Sequence, residues 1–296
     1  MSSASDRMFL VALALLLPAA LAHADAEMSL ARSTGEPAAV PAALSSLRIC
    51  ADPNNLPFSN REREGFENEL ADLVARDLHR VVAYTWWPQR RGFVRHTLGA
   101  GECDVVIGVP ADYRITLTTA PYYRSSYVFV TRADRDLAIH SFDDPRLSKL
   151  RIGVHTIGDD YNNVPPARAL VARGIVGNIT GYSIYGDYSK PDPPRSLIDA
   201  VARGDIDVAI AWGPLAGYFA AREGAPLRID PVPAADARAN TPMTFAISMG
   251  VRKGDTALRD ALDRVIARRH DEIEELLRRY GVPLVAPVHA SAGAGG

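Results

Sequence analysis

The hydrophobic and polar positions of this chain alternate between short β-branched runs and longer stretches with a helical period. The first run, Leu47–Ala51, is typical of a buried strand, and Pro53 and Pro57 prevent a helix from starting in the polar segment that follows. Apolar residues then recur at helical spacing over Phe66–Leu78. This order of strand, loop and helix predicts the first half of a βαβ unit.

The same alternation is found in two series along the chain. In the first series we predict strands at Val81–Trp87 and Cys103–Val109, with a helix at Arg90–Leu98 between them. After a polar stretch the pattern restarts with three strands that are each followed by a helix, at Leu150–Val154, Ile179–Tyr185 and Asp207–Ala211. Such alternation predicts an α/β fold in which helices cover parallel sheets.

A short internal repeat supports two similar lobes. Gly101–Ile107 (GECDVVI) matches Gly204–Ile210 (GDIDVAI), and each copy follows a predicted helix and opens a predicted strand. In this alignment Cys103 takes the place of Ile206, which favours Cys103 as a small buried hydrophobic residue.

The last strand-like run, Met243–Val251, is long enough to carry the chain back to its first lobe before two predicted helices. We therefore predict discontinuous lobes, with residues 45–127 and 246–284 in lobe 1 and residues 128–245 in lobe 2. Two crossing strands would join them, near Tyr127–Thr131 and Phe245–Gly250. Since ligands of open α/β sheets bind beyond the carboxyl ends of the strands, the loop Asp52–Ser59 should line an interlobe cleft.

The N-terminus has the pattern of a secretory signal peptide over residues 1–24. Arg7 supplies the basic end, Phe9–Ala20 the apolar segment, and Ala22–Ala24 an A-x-A cleavage site. No cysteine directly follows the cleavage site, so we expect a periplasmic protein without a lipid or membrane anchor. Residues 25–44 and 285–296 are predicted to be a flexible leader and tail because they are rich in small residues and proline.

Composition narrows the class of partner. The chain has 296 residues, 47% of them hydrophobic, and a formal net charge of -2, which argues against nucleic acid. No His pair has zinc-ligand spacing, and we expect neither a bound metal nor a cofactor. Neither a nucleophile elbow nor a phosphate-binding loop is present.

The chain has two cysteines, Cys50 and Cys103. A disulfide between them is one alternative, since an oxidising compartment would preserve it. However, Cys50 is predicted late in one strand and Cys103 at the start of another. If these strands are parallel neighbours, the two cysteines would lie about 10 Å apart along the strand direction, at ~3.3 Å per residue. Because a disulfide needs Cα atoms within about 7 Å, the sequence favours two unbridged cysteines.

Six short motifs follow one another along the chain: Arg48–Asp52, Pro57–Phe58, Gly65–Phe66, Asp104–Val105, Pro121–Tyr123 and Val251–Asp255. Taken in this order, they resemble the type II periplasmic solute-binding proteins of ABC transporters. The resemblance covers residues 45–284 and implies two discontinuous lobes with a ligand cleft between them.

A narrower resemblance rests on Cys50–Asn60 and Tyr84–Phe93. These segments are similar to the quinoprotein-dehydrogenase-associated branch, which holds the J proteins of methanol-oxidation clusters. The resemblance implies a non-enzymatic periplasmic accessory protein that docks on a PQQ-dependent methanol dehydrogenase and aids its maturation or activation. The alternative is a receptor that delivers a small solute to an ABC permease.

Binding of an ordinary amino acid is not favoured by the cleft residues. In amino-acid-binding relatives an Arg holds the α-carboxylate, and Arg114 lies near that position in a shorter loop. An Asp takes the α-amine, but this chain has Trp212 there, and an indole N–H only donates. The residues predicted to line the cleft or to meet a partner are Asp52, Asn54, Asn55, Phe58, Trp87, Arg90, Arg114, Tyr122, Asp159, Asp160 and Trp212.

Structural roles remain open for some of these residues. Trp86 and Trp87 are neighbours on a predicted strand and face opposite sides, so one would be in the core and the other would face the cleft or a partner. Arg90, with Arg91 and Arg95, suits the centre of an interface or simply the basic face of an amphipathic helix. Asp159 and Asp160 would favour a cation or a hydroxyl-rich ligand, or Asp160 would simply cap the following helix. An enzyme would need a cleft acid with a shifted pKa, for which Asp52, Asp159 and Asp160 are the candidates.

Overall fold

The computed structural model describes residues 45–156, 164–183, 188–189 and 191–286. The predicted signal peptide and leader lie outside these residues, as do residues 287–296 of the predicted tail. The described residues form fourteen strands and seven α-helices. No helix among them is both long enough and apolar enough to cross a membrane.

The strands and helices follow the predicted alternation. The strands are β1 (Ser46–Ala51), β2 (Asn54–Asn55), β3 (Ser59–Asn60), β4 (Val81–Trp86), β5 (Val105–Pro110), β6 (Leu117–Thr118), β7 (Tyr123–Arg132), β8 (Ile152–Thr156), β9 (Ile179–Ser183), β10 (Val208–Trp212), β11 (Leu227–Pro231), β12 (Ala235–Asp236), β13 (Thr241–Pro242) and β14 (Thr244–Val251). The helices are α1 (Phe66–Asp77), α2 (Phe93–His96), α3 (Pro165–Val171), α4 (Ser196–Arg203), α5 (Gly213–Ala220), α6 (Thr256–Arg268) and α7 (His270–Arg279). Short 3-10 turns lie at Ala133–Arg135, Pro145–Ser148 and Pro193–Arg195.

The main sheet has the strand order β4-β1-β5-β14-β7-β10-β8-β9. Strand β1 runs parallel to β4 and β5, and β8 runs parallel to β9 and β10. The antiparallel strands β14 and β7 lie between these two parallel groups. The predicted α/β class, with two parallel groups joined by two crossing strands, is therefore confirmed.

Strand β7 takes part in both groups, because its first residues pair with β14 and its later residues pair with β10. Tyr123 lies opposite Ile247 in the first pairing, and Tyr127 lies opposite Trp212 in the second. Strand β14 also pairs with β5, where Ile247 lies opposite Pro110. The chain thus returns to its first strands through β14. The lobe boundaries at residues 127 and 245 stay a prediction.

Helix α1 shows why the apolar period predicted the core. Phe66, Leu70 and Val74 lie on one face of the helix and are fully buried. They belong to a cluster that also contains Leu276 and Leu277 of α7. A second cluster forms around Phe129, Phe142 and Leu170. Burial of each such side chain contributes about 1.5–3 kcal/mol, so these clusters dominate the stability of the fold.

The internal repeat corresponds to a pair of equivalent ion pairs. Asp104 accepts hydrogen bonds from the backbone N–H and the guanidinium of Arg48, at 3.2 and 2.6 Å. Asp207 accepts the same two kinds of bond from Arg151, at 2.9 and 2.8 Å. Each Asp therefore fixes the first residues of a neighbouring strand, and the repeat reflects one structural device used twice.

The preference for unbridged cysteines is wrong, since Cys50 and Cys103 form a disulfide with Cα atoms 5.4 Å apart. Cys50 lies opposite Val106 in the β1–β5 pairing, as the register argument assumed. However, strand β5 begins only at Val105, and residues 101–104 turn and bend before it. The extended rise per residue therefore does not apply to Cys103. The bridge is buried beside Phe93 and Leu98.

One further predicted element differs from the structure, and one strand of the structure was not predicted. The helix predicted at Arg90–Leu98 is reduced to Phe93–His96, because Gly92 precedes it in a left-handed conformation with φ of 92°. Strand β11 was not predicted from the pattern; it pairs with β7 and ends at Pro231. Its alternating polar residues and terminal proline fit an edge strand.

Candidate functional site: a cleft at the strand ends

A cavity of about 420 Å³ lies where the carboxyl ends of β5 and β10 meet the two crossing strands. Pro110 ends β5 opposite Ile247, and Trp212 ends β10 opposite Tyr127. This volume suits a small organic ligand. The cavity is lined by Asn55, Phe58, Glu67, Gln89, Gly108, Val109, Pro110, Tyr123, Tyr127, His155, Pro165, Trp212, Leu215, Phe245 and Ile247.

The loop after β1 is held together by the buried side chain of Asp52. Its carboxylate accepts hydrogen bonds from the backbone N–H groups of Asn54 and Gln89, at 2.8 and 2.6 Å. It also accepts one from the hydroxyl of Tyr188, at 3.0 Å. Burial raises the pKa of Asp52, and the two backbone donors oppose that rise. Asp52 therefore fixes the loop from beneath rather than reaching into the cavity.

Aromatic rings form much of the cavity wall. Tyr127, Trp212 and Phe245 contact one another edge to face, with ring centroids 5.4 to 6.4 Å apart. Phe58 of the loop after β1 and Tyr123 of β7 also line the cavity. These rings come from separate strands and loops, so only the pairing of β7, β10 and β14 brings them together.

The only carboxylate among the described lining residues belongs to Glu67, in the first turn of α1. Its side chain has no hydrogen bond or ion pair with any described residue. Its Oε1 lies against Gly108, where an added Cβ would stand 2.2 Å from it. Burial raises the pKa of Glu67 to about 8, with a smaller contribution from Asp52.

His155, the penultimate residue of β8, also lines the cavity, and its ring is buried. Its Nε2 lies 3.3 Å from the carbonyl oxygen of Pro194, to which an Nε2–H would donate. Burial lowers the pKa of His155 to about 4, so the imidazole is neutral at pH 7. No Lys or Arg is found among the described residues that line the cavity.

The predicted site residues are distributed over several places. Asn55, Phe58 and Trp212 line the cavity, whereas Asp52 and Tyr122 are buried behind it. The hydroxyl of Tyr122 has no hydrogen-bond partner in the described part of the chain. Asn54 lines a separate depression beside Tyr188. Arg114 lies in an exposed turn outside the cavity, and Asp159 and Asp160 lie outside the described residues.

A second, larger groove of about 890 Å³ lies beside the cavity and is strongly basic. Five cationic side chains line it, and none of its described lining residues is acidic. The cations are Arg90, Arg91, Arg95, Arg252 and Lys253. Arg252 is paired with Asp104 and Asp255, while Arg91 and Arg95 have no ion pair with a described carboxylate. Ile115, at the edge of the groove, is 61% exposed.

The two adjacent tryptophans point in different directions, as expected for a strand. Trp86 is half-buried and stacks on Tyr84, with centroids 4.5 Å apart. Trp87 is 42% exposed and stacks on His96 of α2, with centroids 5.6 Å apart. Trp87 therefore belongs to the same short stretch of chain, residues 87–96, as the groove residues Arg90, Arg91 and Arg95.

Sequence reasoning missed Glu67 and His155. An acidic residue in the first turn of a helix is ordinarily explained by the helix dipole, and nothing in the sequence marks Glu67 as unpaired. The available signal was its place, two residues after Gly65 in the stretch predicted to follow the cleft loop. The sequence held no comparable signal for His155, because the burial of its ring and its contact with the Pro194 carbonyl depend on the tertiary structure. No group of three or more potential metal ligands occurs in the described residues.

The chain is similar to known proteins over most of its length. The model of the bacterial extracellular solute-binding proteins, family 3, matches residues 47–283. Protein MoxJ from Methylorubrum extorquens is 36% identical over 281 residues, which cover 91% of each chain.

Two solved structures are also similar. The periplasmic binding protein XoxJ from Methylobacterium extorquens AM1 is 36% identical, with a TM-score of 0.67, over 81% of this chain and all of that one. MxaJ from Methlophaga aminisulfidivorans MPT is 24% identical, with a TM-score of 0.69 over 81% of this chain and all of that one. The second likeness shows the fold alone.

Proposed function

Because the chain belongs to the bacterial extracellular solute-binding proteins of family 3, we propose that it has adapted this fold as a periplasmic accessory protein. In this proposal it docks on a PQQ-dependent methanol dehydrogenase and aids its maturation or activation, without being an enzyme. The observation that carries the proposal is the 36% identity with MoxJ over 91% of both chains, together with the resemblance to the J proteins of methanol-oxidation clusters.

The cleft gives independent support, because it lacks the chemistry for a free amino acid. Arg114 is exposed outside the cavity, so no described arginine faces an α-carboxylate there. Trp212 occupies the position where an acceptor for the α-amine would stand, and its indole N–H only donates. The α-carboxylate of a bound amino acid would therefore be buried without a positively charged partner, which is strongly disfavoured. Loss of the ordinary ligand site fits a protein that has taken on another role.

The basic groove is the surface that we propose for docking. A protein of net charge -2 concentrates Arg90, Arg91 and Arg95 there, with no acidic side chain among the described lining residues. Arginine and tryptophan are the residues most often found at the centres of protein interfaces, and exposed Trp87 lies beside the groove. The expected partner surface is acidic, since complementary charge steers association and fixes its register.

The test measures binding and activation separately. The double variant Arg91→Gln/Arg95→Gln removes two exposed charges, and Arg76→Gln/Arg264→Gln removes two exposed charges from helices α1 and α6. We expect the groove variant to bind the dehydrogenase at least about tenfold more weakly and to lose salt dependence, while the control binds normally. Deletion of the gene should lower holo-dehydrogenase activity and growth on methanol. Normal activity after deletion would refute the accessory role.

A second candidate function is a receptor that delivers a small solute to a permease. The cavity of about 420 Å³ between the strand ends favours it. A receptor should bind its solute with micromolar or tighter affinity, worth about -8 kcal/mol. A thermal-shift screen of metabolites, followed by calorimetry, would detect such a ligand. Neighbouring permease and ATPase genes would favour this candidate over the first.

A further inference from the structure

The cavity has a charge pattern that selects one class of ligand. Glu67 is the only described lining residue with an acidic side chain, and none is Lys or Arg. His155 is neutral at pH 7 because burial lowers its pKa to about 4. An anion or a zwitterion would therefore bring a carboxylate or phosphate against a described lining that holds no cation, which is costly. A ligand with a single positive charge would meet no such penalty.

The wall of the cavity suits a cation for a second reason. The faces of Tyr, Trp and Phe rings carry negative charge density and attract ammonium groups within about 6 Å of the ring centroid. Tyr127, Trp212 and Phe245 form one such cluster, with centroids no more than 6.4 Å apart. Phe58 and Tyr123 extend the aromatic wall. The apolar lining would also bury the alkyl groups of an organic cation.

Glu67 is placed to be the counter-ion of such a ligand. Its carboxylate has no hydrogen-bond or salt-bridge partner in the described part of the chain, although it lines the cavity. The absence of a side chain at Gly108 leaves the space that Oε1 occupies, since a Cβ there would lie 2.2 Å from it. An ionised carboxylate in apolar surroundings is destabilising unless a positively charged partner compensates its charge.

We infer that the interlobe cavity binds a small alkylammonium cation, with Glu67 as counter-ion and Tyr127, Trp212 and Phe245 as the aromatic contacts. This inference concerns the cleft and goes beyond the proposed docking role. The ligand assay contains no dehydrogenase, so it fails or succeeds independently of the groove experiment.

The test uses choline and the neutral alcohol in which a tert-butyl group replaces its trimethylammonium group. The two probes have nearly the same shape and differ in charge. Calorimetry with the mature wild-type protein should show choline binding at least about tenfold more tightly than the alcohol. Equal affinity for the two probes would overturn the inference, and so would the absence of choline binding.

Variants assign the effect to the carboxylate. Glu67→Gln keeps the shape of the side chain and should weaken choline binding without changing the affinity for the alcohol, while the aromatic contacts keep a residual preference for choline. Gly108→Ala keeps Glu67 but displaces its carboxylate, so it should also weaken choline binding. Glu102→Gln, at an exposed position, is the matched control and should bind like wild type. Unchanged choline affinity in folded Glu67→Gln would overturn the assignment.

Proton release provides a measurement that needs no variant. Burial raises the pKa of Glu67 to about 8, so choline must displace a proton at pH 7. His155 and the two tyrosines around it do not titrate in this range: His155 has a pKa of about 4, and burial keeps the pKa values of Tyr122 and Tyr123 well above their usual range. Burial also raises the pKa of the nearby Asp52, and three hydrogen bonds to its charged form oppose that rise.

Choline affinity should therefore be at least about tenfold lower at pH 6 than at pH 8.5, because the protonated carboxyl must ionise first. Affinity for the neutral alcohol should not change between these pH values. Choline binding that is independent of pH, with no proton released in buffers of different ionisation enthalpy, would contradict Glu67 as the counter-ion.

Discussion

The Cys50–Cys103 disulfide makes a prediction whose magnitude follows from the length of chain that it closes. The two cysteines are 53 residues apart. In the chain-entropy model, a loop of this length restricts the unfolded state by about 4 kcal/mol at 25 °C. Each kcal/mol corresponds to about 2–4 °C in Tm for a domain of this size. Loss of the bridge should therefore lower the Tm by about 8–16 °C.

Two perturbations separate the cross-link from the packing of the sulfur atoms. The double variant Cys50→Ala/Cys103→Ala removes both, and its cavity in the cluster around Phe93 and Leu98 adds a further loss. Wild-type protein that is reduced in denaturant and refolded with reductant keeps the sulfur atoms and loses only the bond. Thermal unfolding followed by circular dichroism should give the full shift for reduced wild type and a slightly larger one for the variant.

The bridge also has a direct chemical signature. Unreduced protein should not react with iodoacetamide after denaturation, and reduced protein should take up two equivalents, one at each cysteine. Reductant should not change the Tm of the double variant, which has no thiol. Two reactive thiols in the unreduced protein, or the same Tm for reduced and oxidised wild type, would refute the reasoning.

Two further predictions concern stability. Gly217→Ala should lower the free energy of unfolding by about 1–3 kcal/mol in urea titration, because its Cβ would stand 1.9 Å from the Gly281 carbonyl oxygen. Gly224→Ala, with no atom within 4 Å of the added Cβ, is the control, and equal stability of the two variants would contradict this packing. Hydrogen bonds from the Arg151 side chain hold the pKa of Asp207 well below its usual range, so its stabilising contribution should be present above about pH 4 and be lost as the pH falls. Asp207→Asn should therefore flatten the loss of stability between about pH 4 and pH 2; an unchanged acid-unfolding curve would argue against this ion pair.

The order of strands and helices was determined by the sequence alone, for a local reason. Apolar period, prolines and glycines act within a few residues of one another, so they predicted α1, β5 and the long strand β14. The repeat Gly101–Ile107 likewise marked two equivalent ion pairs, because each Asp binds an Arg at the start of the neighbouring strand. The sequence also directed attention to the loop after β1, from which Asn55 and Phe58 enter the cavity.

What the tertiary structure alone decided depends on atoms that come from distant parts of the chain. The bend over residues 101–104 brings Cys103 to Cys50, which no strand register could predict. Glu67 is unusual only because the pairing of β5 with β14 and of β7 with β10 builds an apolar, aromatic cavity around it. The surrounding protein sets both the pKa of a side chain and whether it has a partner, so neither can be predicted from its neighbours in the sequence.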